Sequence, residues 1–296
     1  MKQIGTKKQH YIPQFHLKQF ADDGYVFVYN KLDKNRYKTS VENVCCERYL
    51  YETEWNSPTH PDEKFLFYNK IEKDLSRRES EYSKVINKIN KICLSGENDN
   101  ALICGKNEKE QIRSFVANII CRHPKYIKSV DEDIINSDFS EDEEIKPYVE
   151  IINTFDMGNP KDFLRMGAKI GVLSEDLKES PSYEVKKQLE RMEFCFCVSD
   201  NSEFIITDYP LFVTHKDEER DELDSLFMPM HPKVGLLFFD PISHENYHKF
   251  RNRIFNLADD GVEEINEGMA LGEESERVLC RDENTLKVYQ TMIENT

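Results

Sequence analysis

The chain has 296 residues and a mass of 35.0 kDa, with 39% hydrophobic residues, 18 Phe and 14 Tyr. That aromatic content excludes a disordered tail protein, which lacks the apolar groups that offset chain entropy. The net charge of −16, from 40 Lys+Arg against 56 Asp+Glu, argues against non-specific coating of nucleic acid but leaves room for an acidic, metal-using nuclease.

Residues 10–21, HYIPQFHLKQFA, read as an X-Pro step followed by a short amphipathic helix, with Phe15 or His16 and Phe20 on one face. Asp22-Asp23-Gly24 signals a turn, YVFVYNK (25–31) a strand, and DKNRY (33–37) a second turn. TSVENV then reads as extended and RYLY as a further short strand. Over residues 62–94, Tyr68, Leu75, Tyr82, Ile86, Ile89 and Cys93 recur at spacings of three, four and seven, the core-facing stripe of a long helix. Asn98, Asp99 and Asn100 punctuate a loop. Residues 108–123 read as a second helix, with Ile112, Phe115, Val116, Ile119 and Ile120 on one face and Pro124 ending or kinking it. The acidic runs 131–144 and 217–224 read as solvated loops. Weaker helical patterns cover 144–155, 160–171 and 182–193.

The last third changes character. Residues 191–200, 202–210, 226–232 and 233–241 are short aromatic and β-branched runs separated by Asp, Asn, Ser and Pro, the pattern of antiparallel strands. Residues 243–257 and 260–271 read as helices, 277–282 as a strand and 283–294 as a closing helix. A lone two-stranded ribbon is marginal, so the N-terminal hairpin is expected to join the C-terminal strands. The expected fold is therefore α+β: one domain over 1–296, its antiparallel sheet carrying a large helical insertion over 60–193.

No apolar stretch approaches the ~18 residues of a membrane helix, and MKQIGTKKQHYIPQF lacks the apolar core of a signal peptide. A cytosolic protein without membrane association is expected. The eight cysteines include no CxxC pair and lie mostly in apolar runs, so reduced, buried thiols are expected rather than a zinc site. Cys121, beside Arg122 and His123, is the nearest candidate for a thiol nucleophile. Walker, GxGxxG, GxSxG and HExxH motifs are missing.

The opening HYIPQFHLKQFADDGYVFVY resembles the proteins grouped as domain of unknown function 4238, which begin with a segment like HYVPQFYLRNF followed by a glycine turn and a strand. TSVENVCCERYLYE, NKIEKDLSRRESEYSKVINKI, CRHP (121–124), EFIITDYPL and FMPMHP are similar to later segments of that family in the same order. Thr207-Asp208-Tyr209-Pro210 stands where the family carries Ser-Asp-Asn-Pro, and His123 replaces a Thr, while Asp208 and Arg122 remain. With the resemblance goes an expectation of a nuclease-like or toxin role in bacterial conflict.

Five residues carry the candidate chemistry. His10 could act as base or metal ligand near neutral pH, or anchor the N-terminal segment. Gln14, four residues on, shares its helix face if the helix begins that early. Glu79 lies on the stripe that the long helix should bury, as does Glu72, and a carboxylate there is costly unless paired or functional. Arg122, three after Ile119, ends the apolar face of the second helix and is the natural cross-helix partner of Glu79. Asp208 follows the apolar strand FIIT and could be catalytic, metal-binding or a turn former. His231, between Pro229 and Pro232, is a weaker candidate.

Two readings stay open. In the first the chain is a hydrolase or nuclease, with His10 as general base or metal ligand, Asp208 and Glu79 binding a divalent ion such as Mg²⁺ or Mn²⁺ or orienting water, His10 and Asp208 being the metal candidates, Gln14 positioning His10 or substrate and Arg122 countering phosphate charge on nucleic acid. In the second it is a non-catalytic binding or regulatory module, with a pocket for a small anionic ligand around Arg122 and acidic loops for a basic protein partner.

Overall fold

The computed structural model describes residues 7–96, 102–139, 142–178, 180–217 and 222–296, and the statements below refer to these. The loop expected at Asn98–Asn100, part of the 131–144 run (140 and 141) and half of the 217–224 run (218–221) lie outside them. Helix makes up 47% and strand 21% of the described residues, with antiparallel sheets and a helical region in the middle, so the fold is α+β.

The chain opens differently from expectation. Lys8–His10 form strand β1, and helix α1 covers only Gln14–Leu17, followed by a 3-10 turn at Lys18–Phe20. His10 therefore belongs to a strand, and Gln14 does not share a helix face with it. Pro13 sits at the helix N-cap in extended conformation (ψ 135°), which delays the helix until Gln14. Strands β2 (Tyr25–Asn30) and β3 (Asn35–Ser40) form the expected hairpin with a shorter turn. The Asn30 side chain accepts the N–H groups of Leu32 and Asp33, and Lys34 takes a left-handed φ of 51°, so the chain reverses within four residues. RYLY is not a strand: β4 is Cys46–Arg48, paired antiparallel with β1, and ends where Tyr49 takes φ 59°.

Helix α2 spans Lys70–Leu94, shorter at its start than the periodicity suggests, because Phe67 and Asn69 take left-handed φ of 49° and 61°. Leu75, Tyr82, Ile86, Ile89 and Cys93 are buried along it as expected. Helix α3 (Lys106–Cys121) buries Ile112, Phe115, Val116 and Ile119. Pro124 does not only end that run but also starts helix α4 (Pro124–Asn136): at the first helical position its missing N–H has no helical partner to lose. Asp131, Glu132 and Asp133 are consequently helical rather than part of an acidic loop. Helices α5 (Lys146–Thr154), α6 (Pro160–Val172) and α7 (Pro181–Arg191) follow.

The C-terminal third contains β5 (Glu193–Val198), β6 (Ile206–Thr207), β7 (Phe212–Asp217), β8 (Glu222–His231) and β9 (Val234–Phe239). The run 202–210 holds only the two residues of β6, and β7 was not expected. Residues 243–257 are not a helix: a 3-10 turn (Glu245–Phe250) gives way to β10 (Ile254–Asn256) after Asn252 takes φ 51°. The Asn252 side chain is held from both sides by the backbone of Cys104. Helix α8 (Asp259–Leu271), β11 (Arg277–Cys280) and α9 (Glu283–Asn295) close the chain.

By their contacts the described residues divide into two compact units, neither continuous in sequence. The first ends at Tyr11, resumes over Cys46–Arg78 and again over Ala117–Glu184; the second takes Ile12–Cys45, Glu79–Val116 and Val185–Thr296. The second unit holds two sheets, of strand order β3-β2-β11-β6 and β10-β5-β9-β8-β7. The N-terminal hairpin does join a C-terminal strand, β2 pairing antiparallel with β11. One pair departs from the antiparallel rule, since β10 runs parallel to β5. The smaller sheet packs Tyr29, Val278 and Cys280 against Ala270 of α8 and Leu286 and Tyr289 of α9. The larger one packs Cys195, Cys197, Phe227 and Phe239 against Val262 and Met269 of α8.

In the larger sheet the Phe227 ring lies directly over Gly235 on the neighbouring strand, where a Cβ would collide with it. Gly235→Ala is therefore expected to destabilise the fold by about 1–3 kcal/mol, the usual range for overpacking. A denaturant midpoint equal to that of wild type would show that the ring moves aside without cost.

Candidate functional site

In the first unit β1, the segment after β4 and the end of α3 bring His10 and Arg122 together. Arg122 follows Cys121 directly, and its position three after Ile119 carries it inward: it is 1% exposed. Its Nε–H donates to the Tyr51 hydroxyl (3.2 Å), one Nη to Asn118 Oδ1 (3.3 Å) and the other to the His10 carbonyl oxygen. The Tyr51 hydroxyl donates to the same carbonyl at 3.1 Å. His10 thus enters this knot through its backbone, and its strand pairing with Cys46 places it there.

Beside the knot lies a buried polar network that the sequence reading missed. Gln9 donates from Nε2 to Glu52 Oε1 (2.6 Å) and accepts the Tyr51 N–H (2.8 Å) on Oε1. Glu52 also accepts the Asn69 N–H on both carboxylate oxygens, 3.2 Å each. Burial raises its carboxyl above the usual range, with Gln9, Asn69 and Lys169 opposing. Lys169, 1% exposed, donates to the Glu52 carbonyl (2.9 Å) and pairs with Asp131 (2.7 Å); burial lowers its ammonium, and Asp131 opposes that. Asp131 in turn accepts two hydrogen bonds from the Arg165 guanidinium, at 3.2 and 3.3 Å. The signal for Lys169 was present in the sequence. It lies between Met166 and Val172 at helical spacing, on the face of α6 that is buried.

The network ends at a cleft of about 570 Å³ whose lining includes Glu54, Trp55, Asp62, Lys64, Asp162 and Arg165. His60 stacks on Trp55 at 5.5 Å, and the indole N–H donates to the Met157 carbonyl (2.9 Å), so the ring is held rigidly. Asp162 is raised by burial, with Arg165 opposing. With Glu63 the lining holds four acids against Lys64 and Arg165, a balance that attracts cations and repels phosphate.

Gln14, Glu79 and Asp208 belong to the second unit. Gln14 opens α1 and is half-buried, and Glu79 is half-buried on α2. Asp208, 3% exposed, accepts the N–H groups of Glu276 and Arg277 on Oδ1, both at 2.9 Å, and its Oδ2 lies 3.6 Å from the Arg277 guanidinium. Burial raises its carboxyl, while the Arg277 N–H and charge pull it down. Tyr37 also bonds Arg277. His231 accepts the Lys233 N–H on Nδ1 (3.1 Å) beside a bulge at Pro229, a turn-forming role.

Among the described residues no group of three or more His, Cys, Asp and Glu is placed to hold a metal ion. The cysteines are free thiols, and burial pushes Cys93, Cys104 and Cys121 up to about 12. At neutral pH Cys121 is therefore a protonated core residue, not a thiolate. No helix among the described residues is long and apolar enough to cross a membrane.

The molecule so defined is an α+β protein in which Arg122, the His10 carbonyl and Asp208 are held in buried hydrogen bonds. A family model described as protein of unknown function (DUF4238) matches residues 8–278, and the chain belongs to that family. No curated protein and no solved structure matches it.

Proposed function

We propose that the chain is a non-catalytic binding module that takes a basic protein partner on its acidic surface. The observation that carries this reading is the engagement of Asp208: both carboxylate oxygens are directed to groups of the chain itself, at 3% exposure. Arg122 is engaged in the same way by Tyr51, Asn118 and the His10 carbonyl, which supports a structural role for its guanidinium. The net charge of −16 supplies the long-range attraction for a basic partner. Asp208→Ala is expected to cost about 1–3 kcal/mol in a denaturant titration, because two backbone N–H groups lose their acceptor. An unchanged midpoint would mean that Asp208 is held for something other than the fold.

The hydrolase reading keeps one supporting observation, the raised carboxyl of Asp208, since an acid shifted toward neutral pH is suited to proton transfer. Its test is cleavage of DNA and RNA in Mg²⁺ or Mn²⁺ by wild type and His10→Ala. Cleavage by wild type that His10→Ala abolishes would replace the binding reading with a nuclease of a bacterial defence or toxin type.

A further inference from the structure

Helix α5 carries two apolar stripes and buries only one. Ile152 is buried and Ile145 and Val149 are half-buried on one side. Tyr148, Ile151 and Phe155, at spacings of three and four, stand on the neighbouring side at 65%, 53% and 67% exposure. Solvent-facing helix positions are normally polar, and apolar side chains exposed in a row mark an interaction surface. The turn leading into the helix is held by Asp142, whose carboxylate accepts the N–H groups of Glu144 (3.0 Å) and Ile145 (3.1 Å). Glu143 and Glu144 are exposed in that turn, at the N-terminal end of the helix.

We propose that this face of α5 is the docking surface for an amphipathic basic helix of a partner protein, an inference that rests on the binding reading above. The partner would lay apolar side chains over Tyr148, Ile151 and Phe155 and set Lys or Arg against Glu143 and Glu144, a helix-on-helix contact with charges fixing its direction. Charge complementarity selects this occupant. A second copy of the chain carries the same net charge of −16 and is opposed at long range. An anionic lipid surface would be repelled by the same glutamates.

The test uses the full chain and two fluorescein-labelled peptides of amphipathic helical period, one of Leu and Lys and one of Leu and Glu. The Leu–Lys peptide is expected to bind with an affinity that falls with salt, and the Leu–Glu peptide not to bind. Ile151→Ser with Phe155→Ser should weaken binding by at least about tenfold while leaving Tm nearly unchanged, because both side chains are more than half exposed and the charge of the face is kept. Glu143→Lys with Glu144→Lys should weaken binding and flatten its salt dependence, giving a second readout that does not rely on the apolar variant. Equal binding by wild type and the Ile151/Phe155 variant overturns the assignment of this face but leaves a basic partner for the module elsewhere. No binding of the Leu–Lys peptide to wild type overturns it as well. So does a wild-type dimer in sedimentation that the Ile151/Phe155 variant dissolves, since the face would then belong to a second copy. Nucleic-acid cleavage, measured separately, is the result that would remove the underlying reading.

Discussion

Arg122→Ala is expected to destabilise the protein by about 2–5 kcal/mol, the cost of truncating a large buried side chain and leaving its acceptors unpaired. The guanidinium is 1% exposed and donates to Tyr51, Asn118 and the carbonyl of His10. Its removal leaves those acceptors short of donors in a volume that water does not reach, and adds a cavity. Arg122→Lys should recover only part of the loss, since an ammonium keeps the charge but not the planar fork that reaches three acceptors. Denaturant midpoints measure the loss, and amide hydrogen exchange locates it. The amides of β1 should exchange faster in Arg122→Ala, because its last residue is tied to α3 through this side chain. If both midpoint and exchange match wild type, the arginine is held for a ligand rather than for the fold.

Acid should destabilise the protein through His16, and His16→Phe should remove that sensitivity. The imidazole is completely buried among the rings of Phe15, Phe20 and Phe115, at 5.6–6.4 Å between centroids, and neither nitrogen has a hydrogen bond of ordinary geometry. Burial lowers its pKa from 6.5 to about 4, the Pro229 backbone offsetting only a small part. Because the folded-state value lies below the unfolded one, the unfolded chain binds the extra proton between them. The contribution is complete above pH 6.5 and is lost as pH falls toward 4. At about 1.4 kcal/mol per pKa unit the loss amounts to roughly 3 kcal/mol. Denaturant midpoints at pH 7 and pH 4.5 should diverge by most of that amount in wild type and by much less in His16→Phe. Equal divergence in the two proteins would assign the acid sensitivity to other groups.

His16 also shows how far local pattern carries. Its helical spacing with Phe20 places it on an inward face, yet the sequence alone suggests only partial burial. The complete burial comes from Phe115, nearly a hundred residues away. The same division separates the candidate residues. Arg122 was legible as buried because it continues the stripe of Ile112, Phe115 and Ile119, and Lys169 could have been read from Met166 and Val172. Their partners could not, since Tyr51, Glu52 and the His10 carbonyl reach them across long stretches of chain.

The α+β class, the helical middle between two strand-bearing ends, the buried stripes of α2 and α3, and membership of the family are all legible in the order of the residues. These follow from periodicity and from motif order, which are local or linear properties. That His10 belongs to a strand, that Pro124 begins a helix, that β10 runs parallel to β5, and that Asp208 meets the amides of Glu276 and Arg277 emerges from the folded chain. A hydrophobic period states which face of an element turns inward. It does not state which distant donor or acceptor that face will meet, because that choice is made by packing between segments far apart in the chain.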